Sequence, residues 1–278
     1  MTTPTSTTGT KEMKSLIFTH LYQRPGTPQH PIDALEETLD MWLDHLRGPG
    51  CYAGDVILFT NVDGIKRDGV MQQAYPNVPA DARRAHVHRA LSYRLVPVQD
   101  YDVAMQMDLD LLAVDDINPL FPQDTRLWVA PSDATALDWR HAWTLLPRWR
   151  RWSHRLSGWR MNELGVSACV VASVTSAWEN NFGGWARVIR NHGSRPLPHM
   201  ADQSFLNLLY FERGVDMSRW APELIRHKNW ETAVGARLLH FPCSRREHMH
   251  RFARVGTTRR AKDSAPADHD STSVHAPA

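Results

Sequence analysis

Cysteine is scarce in this sequence, and what there is does not pair. Cys51, Cys169 and Cys243 stand far apart without Cys-x-x-Cys spacing, and their odd number argues against a disulfide framework. A reducing, cytoplasmic setting fits that usage best. Net charge is nearly absent as well. Lys and Arg number 32 against 30 Asp and Glu, leaving +2, so no overall field draws the chain to nucleic acid and no such partner is expected. Also missing is any apolar run near the roughly 18 residues that a membrane-spanning helix needs, and the Thr-rich start of the chain has no apolar leader core. The expectation is a soluble protein, peripheral to a membrane at most.

What is present is enough chain, 278 residues, for one substantial α/β domain. Residues 1–13 are rich in Thr, Ser, Gly and Pro, and residues 255–278 are Thr, Ser, Ala, Pro, Asp and His without an apolar period. Both ends therefore read as disordered tails around a single domain at 14–254. Inside it, Leu16-Ile17-Phe18 reads as a buried strand. Ile32, Leu35, Leu39, Trp42, Leu43 and Leu46 then recur at helical spacing until Gly48-Pro49-Gly50 stops the run. Val56 to Thr60 supplies a second strand. This β-α-β order predicts a mostly parallel sheet flanked by helices. Tyr93 to Pro97 and Asp102 to Met107 read as two further strands, the second ending directly in Asp108. In open parallel sheets the ligand site lies beyond the carboxyl ends of the strands, so chemistry is expected there.

Asp108-Leu109-Asp110 carries the chemical signal. If the segment is extended, residues two apart project to the same side, so both carboxylates aim at one point while Leu109 turns inward. Paired hard oxygen ligands suit Mg²⁺ or Mn²⁺, shared with water and substrate phosphates. An acidic turn after a strand is the plainer reading of so short a motif.

The longer context is more specific. The stretch from Tyr101 to Phe121, YDVAMQMDLDLLAVDDINPLF, resembles the central segment of glycosyltransferase family 8, the glycogenin and lipopolysaccharide galactosyltransferase group. That family reads Tyr-Asp, three apolar residues, Tyr-Leu-Asp-x-Asp, an apolar pair, a turn and Pro-Leu-Phe. Gln106 departs from the aromatic position. Leu91-Ser92-Tyr93-Arg94-Leu95 is similar to the family's Tyr-x-Arg-Leu segment, whose arginine faces the nucleotide diphosphate; Arg94 fits that role through a shift of register, and Arg89 is an equal candidate. Ala201-Asp202-Gln203-Ser204-Phe205-Leu206-Asn207 resembles its Asp-Gln-x-x-Leu-Asn segment, and Leu238-Leu239-His240-Phe241 its strand with a metal-binding histidine.

The resemblance implies a GT-A-type nucleotide-diphospho-sugar transferase fold and a retaining, metal-dependent hexosyltransferase that uses a UDP-sugar and an unidentified acceptor. Asp108, Asp110 and His240 would hold Mn²⁺ or Mg²⁺. Thr19, Tyr22, Arg94, Asp108, Leu109, Asp110, Ser167, Arg245 and Arg246 would contact the nucleotide sugar, with Asp202 on sugar hydroxyls and Gln203 at the face of the anomeric carbon. Ser167 and Cys169 stand where the family has Asn and Gly, and its Gly with Lys-Pro-Trp is replaced by Pro242-Cys243-Ser244-Arg245-Arg246. These departures leave open a domain that binds nucleotide or glycan without turnover.

One segment belongs to none of these blocks. Five of the 11 tryptophans, Trp139, Trp143, Trp149, Trp152 and Trp159, interleave with arginines over 139–160. Buried indoles with solvated arginines are the plain account. An exposed patch would instead offer peripheral contact with an anionic membrane, or stacking surfaces for acceptor sugars.

Overall fold

The computed structural model describes residues 13–132, 145, 165–192, 196–198, 200–212, 215–227, 234–242 and 247–254. Apart from Leu145, the tryptophan and arginine segment lies outside these residues, as do Arg245, Arg246, residues 1–12 of the expected N-terminal tail and all of the expected tail at 255–278.

Strand β1 (Ser15–Leu21) is followed by helix α1 (Ile32–Arg47) and β2 (Asp55–Thr60). In α1, Leu35, Leu39, Trp42 and Leu46 form a buried stripe against the sheet, with Asp33 in the first turn and Arg47 in the last, as the helix dipole favours. Each large apolar side chain buried this way contributes roughly 1.5–3 kcal/mol. The helix ends where the sequence stops it. At Gly50 an added Cβ would meet the Leu46 carbonyl at 2.5 Å and the Ala113 side chain at 2.9 Å, so only glycine lets this turn lie against the strand beyond.

The chain then runs through β3 (Val70–Ala74), α2 (Ala82–Leu91), β4 (Val103–Met107), β5 (Leu111–Ala113), β6 (Leu127–Pro131) and β7 (Val166–Val174). Helices α3 (Trp178–His192) and α4 (Ala201–Glu212) follow, then the short strands β8 (Met217–Arg219), β9 (Ile225–Arg226) and β10 (Leu238–His240). Seven strands form the main sheet in the order β3-β2-β1-β4-β7-β6-β8. β3, β2, β1 and β4 are parallel, and β7 runs antiparallel between β4 and β6. A second sheet, β5-β10-β9, pairs β10 antiparallel to β5 and parallel to β9.

Two apolar clusters sandwich the main sheet, one holding Phe18, Phe59, Trp178, Phe182 and Trp185, the other Ile17, Leu39, Trp42, Met105 and Val170. Both faces of the central strands are thus covered, which explains why β1, β4 and β7 read as continuous apolar runs rather than alternating ones.

Two expectations need correction. Tyr93 to Pro97 is not a strand: Ser92–Leu95 is a turn of 3₁₀-helix capping α2, because a short apolar run carries no period to separate strand from helix. Asp108-Leu109-Asp110 is not extended either. The amide of Leu111 donates to the Asp108 carbonyl at 3.2 Å, closing a tight turn between β4 and β5.

Candidate functional site

The main sheet delivers Asp108 at the carboxyl end of β4, where the Asp108 amide donates to the Cys169 carbonyl of β7 at 2.9 Å. The turn then swings Asp110 toward the second sheet, and the Phe241 amide donates to the Asp110 carbonyl at 2.8 Å. Leu109 stays 7% exposed and packs into the core, as the motif reading expected. Turn geometry, not strand alternation, therefore sends the two carboxylates to neighbouring poles of one site.

At the first pole stands Arg89, carried by α2. This helix has little apolar content and buries only Ala85 and Ala90, small residues that let it lie close to its neighbours. Asp81 caps it, accepting from the Arg84 amide at 2.9 Å. Its inward charges are the informative feature. Arg89 donates to Asp108 Oδ1 at 2.7 Å and to Asp202 Oδ2, while His86 Nδ1 lies 3.5 Å from Asp202 Oδ1. Asp202 sits in the first turn of α4, where a carboxylate suits the helix dipole. The Gln203 amide donates to its Oδ1 at 2.8 Å, and Trp185 Nε1 donates to its carbonyl at 3.2 Å. α4 itself is fastened to β7 by Asn207, which exchanges hydrogen bonds with both backbone groups of Val166.

The two carboxylates on Arg89 respond oppositely. Burial pushes Asp108 up to about 6, with Arg89 opposing and Asp110 and Asp202 adding to the rise. Burial also acts on Asp202, but Arg89 and the neighbouring His86 outweigh it and hold that carboxyl well below the usual range. Arg89 stays charged: burial works against it, yet its two acidic partners prevail. Beside it, burial and then Arg89 lower His20, whose Nε2 pairs with Ser92 Oγ at 2.7 Å; burial raises Tyr22.

The second pole joins Asp110 and His240, with Asp110 Oδ1 lying 3.4 Å from His240 Nε2. Adjacent donors of one octahedral ion with bonds of about 2.1 Å are about 3 Å apart, so this pair has the spacing and the chemistry of two ligands of one divalent ion. His240 Nδ1 meets His227 Nδ1 at 2.7 Å, and His227 Nε2 meets the Pro131 carbonyl at 2.7 Å. Donor atoms of Cys169, His227 and His240 come within 4.8 Å of one another, which adds a softer, nitrogen and sulfur character to this side of the site.

The structure brings together Asp108, Asp110, Asp202, Gln203, Ser167, Tyr22 and His240. Ser167 is buried, its Oγ accepting from the Cys169 amide at 3.4 Å. Thr19 is fully buried in β1, with no hydrogen-bond partner for its hydroxyl among the described residues. Arg94 lies elsewhere: it is exposed, its guanidinium over the Tyr93 ring and its Nε donating to the Tyr93 hydroxyl at 3.2 Å. Of the two arginines weighed from the sequence, Arg89 is the one at the acidic turn. His86 and His227 were not foreseen; neither stands in a local motif.

This sheet order, with an acidic turn at the end of β4 and helices on both faces, is that of a GT-A-type nucleotide-diphospho-sugar transferase fold. No family model matches the chain, and no curated protein matches it. Solved structures do, and among them mouse xyloside xylosyltransferase 1, in its apo form, superposes with a TM-score of 0.55 at 12% identity over 84% of this chain and 99% of that one. At that identity the likeness establishes the fold. Among the described residues, no helix is long and apolar enough to cross a membrane.

Proposed function

We propose that the chain is a metal-dependent, retaining glycosyltransferase that moves a hexose from a UDP-sugar to an acceptor. The observation that carries this reading is the convergence, at the carboxyl end of β4, of Asp108 on Arg89 and Asp110 on His240. Asp110 and His240 would hold Mn²⁺ or Mg²⁺, and Asp108, committed to Arg89 through one oxygen, would complete the protein's share. Such an ion neutralises a diphosphate and stabilises the charge of the leaving nucleotide.

The chain's own groups do the rest. Arg89 places a fixed positive charge beside the acidic turn, in a position to balance phosphate charge without reorganising at the moment of reaction. Asp202 keeps Arg89 in place and stays ionised at neutral pH, where it can accept from a sugar hydroxyl. Gln203 is neutral and Asp202 is held by Arg89, so neither is offered as a nucleophile, and the attack comes from the side on which the nucleotide leaves. Tyr22 and Ser167 stand on the nucleotide-sugar side, whereas Thr19 is fully buried in β1 and Leu109 packs into the core, so neither is assigned a substrate contact.

A panel of UDP- and GDP-sugars with Mn²⁺, read by nucleotide release, tests this reading. Release from at least one UDP-sugar, abolished by chelation, is the expected result. Release from none of them, with or without added glycan acceptors, would sink it.

A further inference from the structure

We propose that His227 is a positioning residue that sets the tautomer of His240 and so prepares it to ligate the divalent ion. The inference rests on the metal role of Asp110 and His240 given above.

The register makes the contact. β9 runs parallel to β10 with Ile225 opposite Leu238 and Arg226 opposite Leu239, so the next pair along is His227 with His240. On the other side of β10, His240 is paired with Leu111, directly after Asp110. The three side chains therefore form a row across the small sheet, and the row is anchored to the main sheet where His227 Nε2 reaches the Pro131 carbonyl at the end of β6.

Hydrogen-bond bookkeeping then fixes the protons. A carbonyl only accepts, so His227 Nε2 carries hydrogen and donates to Pro131. A neutral imidazole has one N–H, which leaves His227 Nδ1 as an acceptor. At 2.7 Å from it, His240 Nδ1 must then be the donor. His240 Nε2 is thereby left with its lone pair directed at Asp110 Oδ1 across 3.4 Å. An imidazole nitrogen and a carboxylate oxygen at that spacing can serve as two ligands of one divalent ion. A partner that fixes the tautomer of a ligating histidine typically accounts for 10–100-fold in metal affinity.

The test is Mn²⁺ binding alone, with electron paramagnetic resonance of the free ion for affinity and pulsed resonance of the bound ion for nitrogen coupling, in wild type, His240→Ala, His227→Leu and His227→Gln. Glutamine can accept from His240 and donate to Pro131, whereas leucine can do neither. The expected result is about 10–100-fold weaker Mn²⁺ binding in His227→Leu, near-wild-type binding in His227→Gln, and nitrogen coupling to bound Mn²⁺ that His240→Ala removes. Equal affinities across wild type and both His227 variants would overturn the inference while leaving the metal site standing. So would equal losses in the Leu and Gln variants at unchanged melting temperature. Absence of Mn²⁺ binding in wild type, or binding indifferent to His240→Ala, would overturn the inference and the metal reading together.

Discussion

Two arginines in this molecule each grip two carboxylates, and they differ in almost everything else. Arg67 reaches back from the loop after β2 to Glu36 and Asp40, one turn apart on α1, with side chains 24%, 28% and 47% exposed. Arg89 bridges Asp108 and Asp202, more than 90 residues apart in sequence, with side chains 17%, 17% and 3% exposed. The first arrangement is what charged residues do on a wet helix face, and water screens it. In the second, three charges sit in a largely dehydrated place where each depends on the others, a costly arrangement unless it serves a purpose. Burial and sequence separation, not the number of ion pairs, set the proposed functional cluster apart.

The contrast breaks most visibly at Arg89. Arg89→Met keeps much of the side-chain volume but leaves Asp108 and Asp202 without their countercharge, and the expected loss is about 3–5 kcal/mol in urea unfolding at pH 7. A loss below 1 kcal/mol would place Arg89 in the same class as Arg67. Asp202→Asn is milder, about 1–3 kcal/mol, because an amide keeps part of the hydrogen bonding.

The Asp202 effect also has a pH signature. Its folded-state pKa is depressed, so its contribution is present above the unfolded value of about 3.9 and is lost as pH falls through the folded value. Asp108 runs the other way: raised to about 6, it favours the fold most fully below about pH 4, and that contribution fades as pH rises through 6. The stability gap between wild type and Asp202→Asn should therefore narrow below about pH 4. A gap independent of pH between 7 and 3 would contradict the assigned charge on Asp202. Smallest of all, Arg67→Met should cost about 1 kcal/mol or less and leave Mn²⁺ binding unchanged.

Much of this architecture was legible in the sequence, for local reasons. The stripe of Leu35, Leu39, Trp42 and Leu46, the glycine stop after it, and the apolar runs of β1, β2 and β4 depend on neighbours within a few residues. Asp108-Leu109-Asp110 was legible as a motif, although its geometry was not: whether two acids share a strand or a turn depends on the Leu111 to Asp108 hydrogen bond and on β5 turning away. His227 could not be read at all, because its place is set by the pairing of β9 with β10 and by a proline carbonyl 96 residues earlier. His86 was hidden for a similar reason. α2 looks like an ordinary polar helix until α4 brings Asp202 against it. The one signal available was composition, alanines set among arginines and histidines in ARRAHVHRAL; only the structure shows that Ala85 and Ala90 are the buried residues.

The account stands or falls on whether the acidic turn works with a metal on a nucleotide sugar. UDP release should be followed across a Mn²⁺ titration in wild type and in Asp110→Ala, with circular dichroism confirming that both are folded. The account predicts Mn²⁺-dependent release by wild type and its loss in the folded variant; release by Asp110→Ala with the wild-type metal dependence would contradict it.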